Sequence, residues 1–435
     1  MLGVSASGPI GGLRAADRQP PSPPGGPLDG PAERDAWAVL AHADGLGPVG
    51  FNALLRRYRT GLAILEEATS AGGVERLAAI ELDPGSDEAA PNHHRRLNAG
   101  VAQAIAEAAQ RADQTLARLR ALGLRVVTTA DDTYPSRLAA IDMPPHVLYV
   151  LGEPHALEAR SAVAIVGTRR ATDAGRATAA RLAATLVSVG STVVSGLATG
   201  IDGAAHSATV HAGGTTVAVI GSGHAALFPR IHQRLARSIV DAGGAIVSEL
   251  APDIQPTRGT FPRRNRVISG LADATVVVDA PARSGALLTA SWALEQGRDC
   301  FLVPGPIDAP ASAGCLAFLR EFPVETRIVA GIPQLIEDLG LAARLAEAGV
   351  ASAAAVTLVE VGPAAGRIGR EVLQGRATVD ELVAVTGWPV ASVLTALTVL
   401  ERVGLVVGIH GRFRAAGALA AAGPIPGRRR PSARL

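Results

Sequence analysis

The 435-residue chain contains no lysine, so all 41 of its basic residues are arginine. A Walker-type P-loop places a lysine on the β- and γ-phosphates of a nucleotide, and pyridoxal or Schiff-base enzymes need a lysine amine. The sequence therefore excludes both classes. Arginine keeps a planar fork that binds a phosphate through two hydrogen bonds, so other kinds of phosphate recognition stay open.

Aromatic residues, cysteines and net charge are also scarce. Aromatics make up 3% of the chain, which argues against a protein that reads bases mainly by stacking. The net charge is +2, so any nucleic-acid-binding surface must be local. Cys300 and Cys315 are not spaced like a metal knuckle or a redox pair, and we expect two buried or idle thiols in a reducing cytoplasm. No run is typical of a membrane span or an export signal, so we expect a cytoplasmic protein.

Composition and periodicity divide the chain into three folded parts between two tails. We expect residues 1–30, rich in proline and glycine, and the basic residues 418–435 to be disordered. Residues 31–122 are predicted to form a helical domain, residues 123–340 an α/β domain and residues 365–417 a winged helix.

The α/β prediction depends on six short apolar runs that are separated by helical stretches. They are AVAIVG, STVVSG, TVAVIG, AIVSEL, TVVVDA and CFLVPG, beginning at residues 162, 191, 216, 245, 275 and 300. Near-continuous apolar strands of this kind indicate a parallel sheet with helices on both faces. Ligands of such sheets bind beyond the carboxyl ends of the strands, so the residues that follow each run are the candidate site.

The helical part contains a glycine-rich turn, GLGPVG, at residues 45–50. It resembles the turn of a helix-hairpin-helix, which offers backbone N–H groups to a phosphate. An ordinary pair of helices with a capping glycine explains it equally well. Both interpretations remain open.

The C-terminal part follows the element order of a winged helix. Thr378 and Glu381 are spaced as a capping box, a turn follows at Gly387, a second helix is predicted over 390–403, and Gly411 lies in a two-stranded wing. The second helix has no basic residue before Arg402. This favours a wing that docks on protein over one that binds DNA, because DNA binding needs phosphate neutralisation.

Small residues and arginine follow the first two runs. Gly167 is expected to let the backbone approach a ligand, Thr168 offers a hydroxyl, and Arg169 can bind a phosphate. Ser195 and Gly196 begin a second small-residue loop. A plain tight turn with surface arginines is the alternative explanation.

Acidic and histidine positions are weaker candidates. Asp202 and His206 lie four residues apart and could form half a metal site or an acid–base pair, but no third ligand stands out and a structural role is favoured. Glu249 could accept a hydrogen bond from a ribose or lie solvated at a strand end. Neither a metal site nor a cofactor nor a catalytic set is predicted.

The segment FPRRNRVISGL, residues 261–271, is the densest basic feature of the α/β part. Arg263, Arg264 and Arg266 flank Asn265 directly before an apolar helix. Helical spacing places Arg263 and Arg266 on one face. Several arginines at a helix N-terminus favour a site for more than one phosphate over a cluster paired with acids, since few acids are close in sequence.

The turn RSGALLT supplies Ser284 and Gly285 at another predicted strand-to-helix junction. Ser284 does not lie in a G-x-S-x-G elbow and is not a convincing nucleophile.

These motifs occur together in an order that resembles a known family. GTR, SGLATGIDGAAH, FPRRNRVISGL, SGALLTASWALEQGR and VPGPI, preceded by DTYPSRLAAIDMPPHVLYVLGEP, are similar to the DNA-processing protein A family, also called Smf. The resemblance covers about residues 130–315. It implies an extended Rossmann-like parallel sheet, with an N-terminal helical domain of the SAM or helix-hairpin-helix type and a C-terminal winged helix.

The resemblance also implies a function. Members of the family bind single-stranded DNA without turnover, form homodimers, protect incoming strands during natural transformation and help to load the RecA recombinase. The residues that the motifs and strand ends suggest for DNA binding are Gly167, Thr168, Arg169, Ser195, Gly196, Arg263, Arg264, Asn265, Arg266, Ser284 and Gly285.

Two positions and one segment depart from the family pattern. Thr199 stands where relatives often have a basic residue, and Phe228 stands where a tyrosine is usual. The segment AGCLAFLREF is a loose version of the family's sequence after the last strand.

Two other functions remain alternatives. A nucleotide hydrolase of the lysine-decarboxylase-like phosphoribohydrolase type would need a P-G-G-x-G-T-x-x-E loop, whereas the comparable turn here lacks the paired glycines and has Glu295 displaced. A duplex-DNA regulator would act through the winged helix.

Overall fold

The computed structural model describes residues 30–82, 96–342, 361–409, 411–416 and 419. Both predicted disordered tails lie outside the described residues, apart from Gly30 and Leu419. The predicted bounds of the domains stay predictions.

Six helices form the N-terminal part. They are α1 (Pro31–Leu40), α2 (Pro48–Tyr58), α3 (Gly61–Thr69), α4 (Gly73–Ala78), α5 (Ala99–Gln110) and α6 (Ala112–Ala121). Thr60 caps α3 by accepting a hydrogen bond from Ala63 N at 3.1 Å. The buried Glu33 accepts hydrogen bonds from Trp37 Nε1 at 2.7 Å and Leu62 N at 3.2 Å, so one carboxylate ties α1 to the start of α3.

Nine strands form the central sheet. They are β1 (Arg125–Thr128), β2 (Val147–Gly152), β3 (Ala162–Gly167), β4 (Thr192–Ser195), β5 (Thr216–Val219), β6 (Ala245–Ser248), β7 (Ala274–Val278), β8 (Asp299–Leu302) and β9 (Thr326–Ile328). Their order is β1-β2-β6-β5-β4-β3-β7-β8-β9. The seven neighbouring strands β6-β5-β4-β3-β7-β8-β9 pair in parallel. The pairs β1 with β2 and β2 with β6 are antiparallel. The predicted parallel sheet is confirmed, and the antiparallel pair at one edge was not predicted from strand patterning.

Helices alternate with these strands. They are α7 (Ser136–Ala139), α8 (Asp173–Ser188), α9 (Ile201–His211), α10 (Gln233–Asp241), α11 (Thr260–Gly270), α12 (Gly285–Glu295), α13 (Ala313–Glu321) and α14 (Ile332–Asp338). Short 3₁₀ turns lie at Pro154–Glu158, His224–Ala226 and Arg230–His232.

Both faces of the sheet are buried, which explains the continuous apolar runs. In β3, Val163 and Ile165 pack in one hydrophobic cluster with α8, while Ala164 and Val166 pack in another with α11 and α12. Each valine or isoleucine side chain removed from water in this way contributes about 1.5–3 kcal/mol.

The C-terminal part contains α15 (Pro363–Leu373), α16 (Val379–Thr386), α17 (Val390–Arg402) and an antiparallel pair, β10 (Val406–Ile409) with β11 (Arg412–Ala415). The predicted capping box is confirmed, since Thr378 Oγ1 accepts from Glu381 N at 3.3 Å and Glu381 Oε2 accepts from Thr378 N at 3.0 Å. The assignment of this part as a winged helix stays a prediction.

Among the described residues, no single helix has the length and apolarity needed to cross a membrane. In the described part of the chain, α16 and α17 together have that length and apolarity, but the chain bends by 115° between them.

Candidate nucleic-acid interface

A crevice opens where the strand order reverses. The chain runs outward from β3 through β4, β5 and β6, then returns to place β7 on the other side of β3. The carboxyl ends of β3 and β7 are therefore adjacent, and this is the point at which open α/β sheets bind ligands. Residues 167–170 at the end of β3, Pro281 and residues 283–286 after β7, and the N-terminal part of α11 line a crevice of about 640 Å³.

Arginines dominate the charge of this crevice. Arg169, Arg170, Arg258 and Arg283 line it and are exposed, and within the described part of the chain none of their guanidinium groups pairs with a carboxylate. Asp202 is the one carboxylate among the described lining residues. Four unpaired guanidinium groups around one opening create a strongly positive local potential, although the whole chain carries only +2.

The N-terminus of α12 adds backbone donors. Ser284 is its N-cap and accepts a hydrogen bond from Ala286 N at 3.3 Å. Ser284, Gly285 and Ala286 all line the crevice. The first N–H groups of a helix have no partner within the helix and lie at the positive end of its dipole, so they suit an anion.

Arg264 lines the inside of the crevice, where its side chain is held in place and is not a mobile surface group. Its side chain is buried, and Nη1 donates to the carbonyl oxygen of Gly196 at 2.7 Å and to that of Val219. Burial lowers the pKa of Arg264 to about 10, while Asp202 opposes that shift. The guanidinium group remains charged at neutral pH and is held in one orientation.

Asp202 compensates for that buried charge. Its Oδ2 accepts hydrogen bonds from Gly196 N at 3.1 Å and Ala198 N at 3.4 Å. Burial raises the pKa of Asp202, and Arg264 acts in the opposite direction. The structural role expected for this aspartate agrees with these contacts.

His206 contacts the start of β5. The buried ring places Nδ1 2.7 Å from Thr216 Oγ1. Among the described residues no group of three or more His, Cys, Asp and Glu side chains is arranged to hold a metal ion.

Gly167 and Gly196 leave room for neighbouring protein atoms, with which a side chain at either position would clash. A Cβ on Gly167 would collide with the carbonyl oxygen of Val278 and with Ile201. A Cβ on Gly196 would lie 2.7 Å from both Arg264 Nη1 and Asp202 Oδ2. Gly167 is therefore required by the packing of β7 and α9, and the expectation that its backbone approaches a ligand stays a prediction.

The basic segment FPRRNR differs from the prediction in two respects. Helix α11 begins at Thr260, so the arginines lie within the helix rather than before it. Arg263 is exposed whereas Arg266 is buried, so the two do not share a face.

Arg266 is paired with an acid. Its Nη2 donates to Glu249 Oε2 at 2.5 Å, and the two side chains are 5% and 11% exposed. The predicted phosphate contact at Arg266 and both readings of Glu249, as a ribose acceptor or a solvated strand end, are contradicted by this buried ion pair. Sequence distance concealed it, since seventeen positions separate the partners.

Seven of the predicted DNA-binding residues meet at the crevice: Gly167, Thr168, Arg169, Arg264, Asn265, Ser284 and Gly285. Ser195, Gly196, Arg263 and Arg266 do not line it. Ser195 is fully buried and donates from Oγ to the carbonyl oxygen of Ile165 at 2.6 Å. Asn265 Nδ2 donates to the carbonyl oxygen of Gly285 at 3.1 Å, so it also joins α11 to the start of α12.

Sequence reasoning missed Arg170, Arg258 and Arg283. Arg170 and Arg283 each follow a predicted strand, so the same strand-end argument could have found them. Arg258 lies in the loop before α11, where no pattern distinguishes it. Thr199, where the family is often basic, donates from Oγ1 to the carbonyl oxygen of Arg169 at 3.4 Å.

The sheet order defines a Rossmann-like α/β protein, and the basic crevice at the switch point of its sheet is a candidate anion site. The family model of DNA recombination-mediator protein A matches residues 125–339. The chain belongs to this family, since it is also 35% identical over 312 residues to Protein Smf of Synechocystis sp., covering 71% of this chain and 73% of that protein.

Two further comparisons agree. Protein Smf of Escherichia coli is 45% identical over 189 residues, which are 43% of this chain and 50% of that protein, so the matched part spans half of the relative. The X-ray structure of DNA processing protein A (DprA) from Streptococcus pneumoniae matches with a TM-score of 0.55 and 26% identity, covering 70% of this chain and 97% of that one.

Proposed function

We propose that this protein binds single-stranded DNA in the crevice between β3 and β7, without cleaving it, and acts in the uptake of DNA during natural transformation. The observation that carries the proposal is the set of four exposed arginines with no carboxylate partner in the described structure, at Arg169, Arg170, Arg258 and Arg283. Nucleic acid is the polyanion that such a set fits, and membership of the family indicates DNA.

The geometry favours an unpaired strand over a duplex. The arginines come from three loops around a concave opening, and the N-terminus of α12 lies inside it. A flexible single strand can direct successive phosphates to donors on several loops, whereas a duplex presents its phosphates on a stiff outer surface. Helix α17 of the C-terminal part has no basic residue before Arg402, so it supplies little to duplex binding.

The arrangement of carboxylates does not support the hydrolase alternative. Asp202 is buried and accepts hydrogen bonds from backbone amides. Glu295 is the last residue of the eleven-residue α12, which places it about 16 Å along the helix from Ser284 at the crevice. Neither carboxylate is positioned to activate water against a bound nucleotide.

Fluorescence anisotropy with a mixed-sequence single strand and its matching duplex tests the proposal. We expect a lower Kd for the single strand at every salt concentration. A lower Kd for the duplex would contradict the proposal. Release of free base from nucleoside monophosphates incubated with the chain would instead support the hydrolase.

We further propose that the DNA-bound form is a homodimer in the cytoplasm and helps to load the RecA recombinase, as the family resemblance implies. Sedimentation equilibrium with and without a single strand tests the dimer, and a purely monomeric species would contradict it. The rate of RecA filament formation on single strands covered by single-strand-binding protein tests the loading step. An unchanged rate would contradict that part of the proposal.

A further inference from the structure

Two phenylalanine rings extend the crevice at its rim, in a chain with few aromatic residues. Phe261 lines the crevice, and its ring centroid lies 4.9 Å from Arg169 Cζ. Phe228 packs against Phe261 with ring centroids 5.8 Å apart and an interplanar angle of 58°. The exposed arginine and the outer ring therefore contact the same inner ring.

The inner ring is fixed by the protein. A Cβ on Gly221, at the end of β5, would lie 2.8 Å from Cδ1 of Phe261, so the ring rests directly on this backbone. Arg169 covers it from the crevice side through a cation–π contact, and Phe228 packs against it at an angle. Phe261 thus supports Phe228 rather than offering a free face.

The outer ring is open to solvent. Phe228 is 42% exposed, although its neighbour in space is half-buried. A single exposed apolar side chain needs no function. This ring, however, packs on Phe261, which lines the crevice, and Arg230, exposed and without a carboxylate partner in the described structure, follows two residues later.

An unpaired nucleotide has one group that an arginine can bind and another that an aromatic ring can bind. Its phosphate is an anion, and its base has a flat π-face that stacks on an aromatic ring whatever the base is. We propose that Phe228 stacks with a base of the bound strand while Arg169 binds a phosphate beside it. This inference depends on the proposed function, and it adds base contact to an interface that otherwise binds backbone.

The test compares two oligonucleotides that share one backbone. A thymidine strand and an abasic strand of equal length carry the same phosphates, so only the first can stack. We expect the full chain to bind the thymidine strand between about 5-fold and 100-fold more tightly than the abasic strand. Phe228→Ala should remove this preference and leave the affinity for the abasic strand unchanged.

Two substitutions separate stacking from simple apolar packing. Phe228→Leu keeps an apolar side chain without a ring and should also lose the preference. Phe228→Trp keeps a ring and should retain it, with tryptophan fluorescence that is quenched by the thymidine strand and not by the abasic one. Wild-type chain carries no tryptophan at the crevice and serves as the fluorescence control.

An equal thymidine-to-abasic ratio in wild type and Phe228→Ala, or no quenching in Phe228→Trp, would overturn the inference while leaving backbone binding intact. A wild-type chain that binds neither strand would contradict the proposed function itself. The two failures are therefore distinguishable.

Discussion

Arg264 and Gly196 are joined by a hydrogen bond of 2.7 Å from the guanidinium Nη1 to the carbonyl oxygen. This bond links α11 to the loop after β4, directly under the crevice. Asp202 Oδ2 accepts from the amide of the same glycine at 3.1 Å. The buried side chains of Arg264 and Asp202 and the peptide unit of Gly196 therefore form the floor of the crevice. The exposed arginines line the crevice around this floor.

Arg264→Ala should destabilise the fold because the carbonyl oxygens of Gly196 and Val219 would lose a buried charged donor and Asp202 would lose a nearby positive charge. Each hydrogen bond to a charged group is worth about 1.5–3 kcal/mol. Urea unfolding of the full chain measures this effect. Adding Asp202→Asn to Arg264→Ala should restore part of the loss, and an Arg264→Ala chain of unchanged stability would show that this arginine does not support the floor.

Gly196→Ala should destabilise the fold by about 1–3 kcal/mol, because the added methyl overlaps Arg264 and Asp202. Gly285→Ala is the matched control, since a Cβ there meets nothing within 4 Å. The urea midpoints of the two variants should separate clearly. Equal midpoints would mean that the floor relaxes around a methyl group at no measurable cost.

Glu249→Ala should lower stability by about 3–5 kcal/mol, since Arg266 would remain buried without a partner. The folded fraction should still bind single-stranded DNA normally, because neither residue lines the crevice. Anisotropy at a temperature where the variant is folded measures this. Loss of DNA affinity in a fully folded Glu249→Ala chain would show that Arg266 takes part in DNA binding.

Stability should fall as the pH drops from about 6.5 towards 4. Burial lowers the pKa of His146 to about 4 and that of His206 to about 3, against an ordinary value of 6.5. The unfolded chain therefore binds more protons in this window, and each histidine removes up to about 1.4 kcal/mol per pH unit. The raised pKa of Asp202 acts in the opposite direction, because the folded chain keeps that proton at a higher pH than the unfolded chain does.

Urea unfolding at several pH values measures this dependence. His146→Gln should make the decline shallower than it is in the wild-type chain. A stability that does not vary between pH 7 and 5 would contradict the predicted protonation states.

The sheet could be predicted from sequence because strands buried on both faces are continuously apolar, as in β3 and β7. The position of the crevice followed from the rule that loops after adjacent parallel strands meet. Side-chain partners could not be predicted, because Arg266 and Glu249, or Arg264 and Gly196, come together only through the packing of α11 on the sheet. In the motif FPRRNR, Arg264 therefore lines the crevice, Arg266 forms a buried ion pair with Glu249, and Arg263 is exposed outside the crevice.

Because the three arginines of α11 have different roles, one of them provides a matched control for the DNA-binding measurement. Arg263 is exposed on the same helix as Arg264 but does not line the crevice, so Arg263→Ala removes a positive charge without removing a proposed phosphate contact. Arg169→Ala combined with Arg283→Ala removes two proposed contacts at exposed positions where the fold should tolerate the change.

The salt dependence of single-strand binding tests the central claim most directly. Four phosphate contacts predict a slope of log K against log salt of about −3, since each contact to a single strand contributes about −0.7. The Arg169→Ala, Arg283→Ala chain should bind more weakly with a slope of about −1.4, while Arg263→Ala, which removes no proposed contact, keeps the wild-type slope. A wild-type slope near zero, or a double variant that keeps the wild-type slope and affinity, would contradict the assignment of the crevice as the DNA site.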